Sequence, residues 1–276
     1  MNKITTNLYS KIIIGIFLIM VVYWVLITTN NLQDTIQNFL YGAVLGVLPI
    51  LGAIFGFINA KKWGWLKSSM GKSVFLLSSG LLTWGLGTLI FAYYNIFLQI
   101  AVPYPSLADV FYIVSWPLWA WGMLQLSSAT GVKYSLRSLK GKLLLLIIPA
   151  LMIAISYYLL VVVIRGGILD FHLGDGGLKL FFDLAYPIGD VVILTLTTLI
   201  YGLSYNYLGG KFKTTVYIIL IGFIINYIAD FLFSYTTTLG TFYTGGLVDL
   251  VFTMAMFTLS LGIAKFDPEI LSKDIN

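Results

Sequence analysis

The sequence predicts an all-α, polytopic membrane protein: eight transmembrane helices, organised as two parallel four-helix repeats. Three observations lead there. Of 276 residues, 59% are hydrophobic and only 10% are charged, with a mean hydropathy of +0.94. A soluble domain carries roughly 25% charged residues. The apolar residues fall in runs of about 20, the length of helix that crosses ~30 Å of hydrocarbon. Such runs must be helical, because lipid offers backbone N–H and C=O groups no partner. Third, the basic residues between the runs alternate strongly in number.

The spans are expected at 10–29, 38–60, 73–97, 107–127, 142–164, 181–205, 214–237 and 245–264. The first follows Lys3 and Lys11, as a signal peptide would. Its apolar stretch, 12–27, is long for a signal core and no small-x-small cleavage site follows, so it is expected to be retained as a helix. The second span carries Pro49 and ends at Lys61-Lys62. The fourth begins after Val102-Pro103-Tyr104-Pro105-Ser106, where Ser106 can cap it. It holds Trp116, Trp119 and Trp121, which belt or packing roles explain, as they do Trp63 and Trp65 beside the second span. Pro117, Pro149 and Pro187 lie inside the fourth, fifth and sixth spans and should kink them.

The charges set the orientation. Lys3, Lys11, Lys61, Lys62, Lys67, Lys72, Lys133, Arg137, Lys140, Lys142, Lys211, Lys213, Lys265 and Lys273 fall on the side of the N-terminus. Only Arg165 and Lys179 fall on the other. The positive-inside rule then places both termini in the cytoplasm of a multi-pass cell-membrane protein. Losing any one span would scramble the split. The tail, 266–276, is too short for a kinase, cyclase or DNA-binding domain. The net charge of +5 is a topology signal, not a nucleic-acid one. The cytoplasmic clusters could also attract anionic lipid.

The halves resemble each other, with repeat 1 at about 1–130 and repeat 2 at about 140–265. Leu107-Ala108-Asp109-Val110-Phe111 aligns with Leu247-Val248-Asp249-Leu250-Val251, 140 residues on. Thr88 to Tyr93 aligns with Asp230 to Tyr235 at 142, and Pro49 with Pro187 at 138. A unit with an even number of spans repeats in parallel, about an axis along the membrane normal. Chance likeness among apolar helices is the competing explanation.

No cofactor is expected. With no Cys, thiolate sites and Cys nucleophiles are excluded, and with one His, His172, so are bis-histidine haem and His-cluster metal sites. A retinal Schiff base needs a membrane-embedded Lys, and none is present. The loop Asp170-Phe171-His172-Leu173-Gly174-Asp175 has a D-x-H-x-x-D spacing that fits weak divalent-ion binding; an exposed Gly-rich loop is the plainer reading.

Ionisable residues inside spans are costly and therefore functional candidates. Here all five are Asp: Asp109, Asp183, Asp190, Asp230 and Asp249, all in outer helix halves. Asp183 and Asp190 share a helix face, as do Asn226 and Asp230. Ser115, Trp116, Tyr186, Tyr227 and Tyr235 could line the same space. Without an intramembrane Lys or Arg, these acids must be protonated, hydrated, hydrogen-bonded or paired with an external cation. One reading is an outward-facing acidic, aromatic pocket for a cationic ligand, a metal ion or protons; carboxylates with aromatic faces suit an ammonium group. The other makes Asp109, Asp183 and Asp249 helix N-terminal caps. Asp190 and Asp230 lie too deep for capping. Phe182-Asp183 and Ile188-Gly189-Asp190 look like elements of intramembrane aspartyl proteases, but both lie on one helix and no Pro-Ala-Leu occurs, so an enzyme is not expected.

Three segments carry a family resemblance. Pro105-Ser106-Leu107-Ala108-Asp109-Val110-Phe111-Tyr112 with Trp116-Pro117-Leu118 is one. Asp183-Leu184-Ala185-Tyr186-Pro187-Ile188-Gly189-Asp190 and Ala229-Asp230-Phe231-Leu232 are the others. From about residue 75 to 264 the chain resembles the multi-helix N-terminal membrane regions of bacterial GGDEF/EAL cyclic-di-GMP enzymes and sensor kinases. That resemblance implies a sensory input module. No output domain follows here, so a cytoplasmic or membrane partner would carry the signal; Thr88 stands where those regions often have Asp. The leading expectation is thus a sensor-like module with a ligand site formed by Asp190, Asp230, Asn226, Asp183, Asp109, Asp249, Tyr186 and Trp116. Its partners would be the lipid bilayer, a small-molecule ligand and a signalling protein, with no nucleic acid. A small proton- or cation-coupled transporter ranks second, because the inner helix halves carry no ionisable residue. A non-catalytic membrane scaffold ranks third.

Overall fold

The computed structural model describes residues 8–130, 132, 139–164, 166–167, 177–204 and 213–269. Eight long helices fill it: α1 (Leu8–Thr29), α2 (Ile36–Lys62), α3 (Ser69–Tyr93), α4 (Leu107–Ala129), α5 (Leu139–Tyr157), α6 (Gly177–Ser204), α7 (Lys213–Thr238) and α8 (Leu247–Ala264). One π-helical turn, Tyr94–Leu98, extends α3, and another, Tyr158–Val163, extends α5. Each of the eight is long and apolar enough to cross a membrane. The loop Asp170 to Asp175 lies outside the described residues.

The exterior matches a lipid-facing role. Ile19, Phe97 and Leu146 are 69%, 72% and 75% exposed, and dozens of other large apolar side chains also face outward. Soluble monomers do not show continuous apolar surface on that scale. Buried polar residues sit inside instead, among them Asn59, Asp109, Asp190, Asn226, Asp249 and Thr253.

Six helices close a ring. α2 packs on α3, α3 on α4, α4 on α6, α6 on α7, α7 on α8, and α8 back on α2. α1 lies outside, against both α2 and α8, while α5 packs on α6. Between apolar helices in lipid there is no hydrophobic drive to associate, so close approach at small residues takes over. A Cβ added at Gly80 would collide with the Trp119 ring, and one at Gly122 would stand 2.9 Å from Leu77, so α3 and α4 interlock. α7 and α8 interlock in the same manner, with Gly222 against Leu259 at 2.7 Å and Gly262 against Ile219 at 2.7 Å.

We call the end of the bundle with the α1–α2, α3–α4 and α7–α8 connections the upper end. At the lower end the chain after α8 folds back. Phe266 is fully buried, its carbonyl accepts from Trp63 Nε1 at 2.6 Å, and Lys62 pairs with Asp267 at 3.1 Å and Glu269 at 3.0 Å. Residues expected to form only a short polar tail thus lock α2 to α8.

Candidate functional site

The upper half of the ring gathers the acids. Asp109 is the third residue of α4, so its carboxylate can reach back to the free N–H groups of the helix start. Oδ2 accepts from the Ser106 backbone N–H at 2.7 Å and from the Ser106 hydroxyl at 2.8 Å. Oδ1 takes the Tyr186 hydroxyl at 2.8 Å, across the α4–α6 boundary. Asp249 holds the matching position in α8, where Oδ2 accepts from Gly245 N–H at 2.6 Å. Gly245 has φ +78, and a Cβ there would also meet Asn38 at 2.9 Å, so glycine suits this buried turn. These contacts are those of the capping reading for Asp109 and Asp249.

Asp183 departs from that reading. α6 begins at Gly177, not near 181, so Asp183 is the seventh helical residue and cannot cap. The apolar Leu178, Leu180 and Phe181 continue the helix back past it. Its side chain lies outside the described residues.

Asp190 and Asp230 form the centre. Asp190 is 5% exposed, Asp230 is half-buried, and the two carboxyl groups face each other within hydrogen-bonding reach across the α6–α7 boundary. A hydrogen bond between two carboxyl groups requires a proton on one of them. Asn226, one turn before Asp230 on α7, donates from Nδ2 to Asp230 Oδ2 at 2.7 Å. Asn226 is 1% exposed, and its Oδ1 is buried without a hydrogen-bond partner. Among the described residues the ion pairs are those of Lys62, so neither central Asp has a basic partner.

Tyrosines connect the centre to the caps. Tyr112 has Asp109, Asp230 and Asp249 nearby, and its hydroxyl donates to Thr88 Oγ1 at 3.2 Å. Tyr186 lies near both Asp109 and Asp230. Tyr227 adjoins Asp190, and its hydroxyl is hydrogen-bonded to Ser156 of α5 at 2.9 Å. Trp116 lies flat on the backbone of α6, where a Cβ at Gly189 would stand 2.8 Å from its ring. It meets Trp119 edge-on at 5.7 Å. Ser115 is buried but turns its hydroxyl to the Tyr112 carbonyl. Tyr235 is 38% exposed and stacks on Phe231.

Four of the five intraspan acids are therefore neighbours. Sequence reasoning missed Tyr112 and Ser156. Tyr112 was findable, since it lies three residues after Asp109 on one helix face. Ser156 gave no signal, being one small polar residue on a mostly exposed helix.

Two hollows were found near this region. A groove of about 620 Å³ runs between α4 and α6, walled by Ile113, Trp116, Pro117, Phe181, Ile188 and Gly189. A smaller one of about 120 Å³ lies at the upper end beside Asn31, Gln33, Asn38 and Tyr243. Neither is lined by an aspartate. No protein-family model, curated protein or solved structure matches the chain.

Proposed function

We propose that the protein is a sensor-like membrane module that binds a small cationic ligand at Asp190 and Asp230 and signals through a partner protein. One observation carries this reading: two carboxyl groups that face each other inside a bundle of span-length helices, with no basic side chain beside them among the described residues. Keeping such a pair in lipid is costly, and a purely structural role would be met by Ser or Asn at lower cost. Bringing a cation to the pair changes its charge and geometry. The pair joins α6 to α7, and Tyr186, one turn before Asp190, joins α6 to Asp109 of α4, so the change can reach three helices.

The upper end is external in this reading, and both termini are cytoplasmic, as the basic residues at the lower end favour. The chain has no cysteine, which makes orientation directly measurable. In intact cells, a membrane-impermeant maleimide should label Gln99→Cys and spare Ser128→Cys. The opposite pattern would invert the topology.

Two parallel repeats, α1–α4 and α5–α8, are part of the same reading. The interlocked pairs support it: Gly222 and Ile219 lie 142 residues after Gly80 and Leu77, while Leu259 and Gly262 lie 140 after Trp119 and Gly122. The ring contacts agree, since α4 on α6 has its counterpart in α8 on α2. The likeness to the membrane regions of cyclic-di-GMP enzymes and sensor kinases favours an input role over transport.

Trp116 provides the test, because it rests on the residue next to Asp190. Purified protein in nanodiscs is titrated with tetramethylammonium chloride and with NaCl while tryptophan emission is recorded. A saturable change is expected with at least one cation, and Asp190→Asn and Asp230→Asn should each abolish it. An unchanged response in both variants removes the pair from ligand binding.

A further inference from the structure

We infer that the Asp190–Asp230 site takes a bare monovalent metal ion of sodium size, with the Asn226 side-chain carbonyl as a third oxygen ligand. The inference rests on the proposed ligand role of this pair and names the ligand class. Three features lead to it.

The first is Asn226 itself. Its amide nitrogen is committed to Asp230, which fixes the amide plane and leaves Oδ1 on the other arm of the same amide carbon. That oxygen is buried and has no hydrogen-bond partner. An unpaired buried acceptor carries a desolvation cost. A cation held between the carboxyls and Oδ1 removes that cost. The second is ligand type. Two carboxyls and a carbonyl offer only hard oxygen donors, the set suited to sodium-like, magnesium-like or calcium-like ions and unsuited to soft metals.

The third is size and charge. Neither hollow is lined by Asp190 or Asp230, which favours a bare ion over an organic ammonium group. With two protons the carboxyl pair is neutral. Replacing one proton by one monovalent ion leaves it neutral and keeps the second proton in the bond between the carboxyls. One proton leaves for each cation bound. A divalent ion would need both protons removed and that hydrogen bond broken, and it prefers six or more oxygens. The described residues offer no group of three or more acidic, His or Cys side chains suited to it.

The experiment uses the full chain in nanodiscs, with thermal unfolding followed in NaCl, KCl, CaCl2 or choline chloride at constant ionic strength. Sodium should raise the melting temperature over choline, saturably. Asp190→Asn should remove the effect. Asn226→Leu should weaken apparent sodium affinity about tenfold, the equivalent of ~1.4 kcal/mol. If Asn226→Leu does not fold, Asp230→Asn provides the second variant and should behave as Asp190→Asn. Three results overturn the inference: no difference between sodium and choline, a calcium response without a sodium response, or a wild-type sodium response in Asp190→Asn. If sodium fails but tetramethylammonium still alters Trp116 emission, the metal-ion inference falls and the sensor reading stands. If no cation acts on either measurement, both fall.

Discussion

The two halves of the ring meet along two seams, and the seams are unlike. The α2–α8 seam is fastened along its length. At the upper end the Tyr41 hydroxyl is hydrogen-bonded to Thr253 at 2.8 Å, and Trp24 of α1 donates to the Gly246 carbonyl at 3.1 Å. In the middle, Gly52 admits Ser260 against the α2 backbone. At the lower end Asn59 Nδ2 donates to the Ala264 carbonyl at 3.0 Å, and Lys62 grips Asp267. Among the described residues the α4–α6 seam shows fewer side-chain ties. Tyr186 to Asp109 bridges its upper end, Trp116 lies on Gly189, and the groove of about 620 Å³ runs alongside. Here α1 has no counterpart, since α5 packs on α6 rather than over this seam.

The difference teaches where the molecule can move. Small, interdigitated, doubly anchored contacts resist opening, and two packed arrangements are reached by sliding or hinging at weaker boundaries. Asp190 lies one residue from Gly189, so the weak seam adjoins the carboxyl pair. On the proposed ligand role of that pair, the expected way in is through α4–α6, with α2–α8 as the fixed side.

The largest expected effect separates the seams by one methyl group. In Gly52→Ala the new Cβ would overlap Ser260 and come within 3.1 Å of its Cα, so a backbone must shift. Overpacking of this kind costs ~1–3 kcal/mol. In Gly189→Ala the three atoms nearest the new Cβ all belong to the Trp116 ring, the closest at 2.8 Å, and that ring borders open groove. It can tilt, and alanine recovers ~0.5–1 kcal/mol of helix propensity. Thermal unfolding in nanodiscs should therefore show a clear loss for Gly52→Ala and little change for Gly189→Ala. Equal losses would mean that the seams are equally tight.

Much of this architecture was readable from residue order. Eight spans follow from the fixed thickness of hydrocarbon, and the helix bounds differ from expectation by a few residues. The starts of α3 and α6 were the poorest, each four residues late; at α6, Gly176-Gly177 and Lys179 look like loop, yet Leu178 and Leu180 extend the helix. The carboxylates were visible as costly residues, and spacing put Asn226 with Asp230. Spacing within one helix could not tell that Asp190 meets Asp230, since that contact depends on how α6 and α7 pack. Nor could it tell that Asp109 spends both oxygens on Ser106 and Tyr186. The return of Phe266 and Asp267 onto α2 was hidden for the same reason: a short polar segment carries no periodicity.

The smallest effect is the most specific to the weak seam. Tyr186→Phe removes only the hydroxyl that crosses from α6 to Asp109 Oδ1. Asp109 keeps both Ser106 contacts on Oδ2, so the start of α4 stays capped. Hydrogen bonds between membrane helices average ~0.6 kcal/mol, so unfolding should move by only a degree or two. The seam should loosen all the same, because this bond is its upper closure. A cysteine introduced at Ala185, in the groove wall one residue from Tyr186, reads that loosening. A small maleimide should label Ala185→Cys faster in the Tyr186→Phe background than with Tyr186 present. The matched control on the fixed side is Tyr41→Phe, which removes the bond to Thr253 but leaves Gly52, Asn59 and Lys62 in place. That variant should leave the Ala185→Cys rate unchanged. Equal acceleration by both would show that the ring opens as a whole, and that the α4–α6 seam has no separate role as the way in.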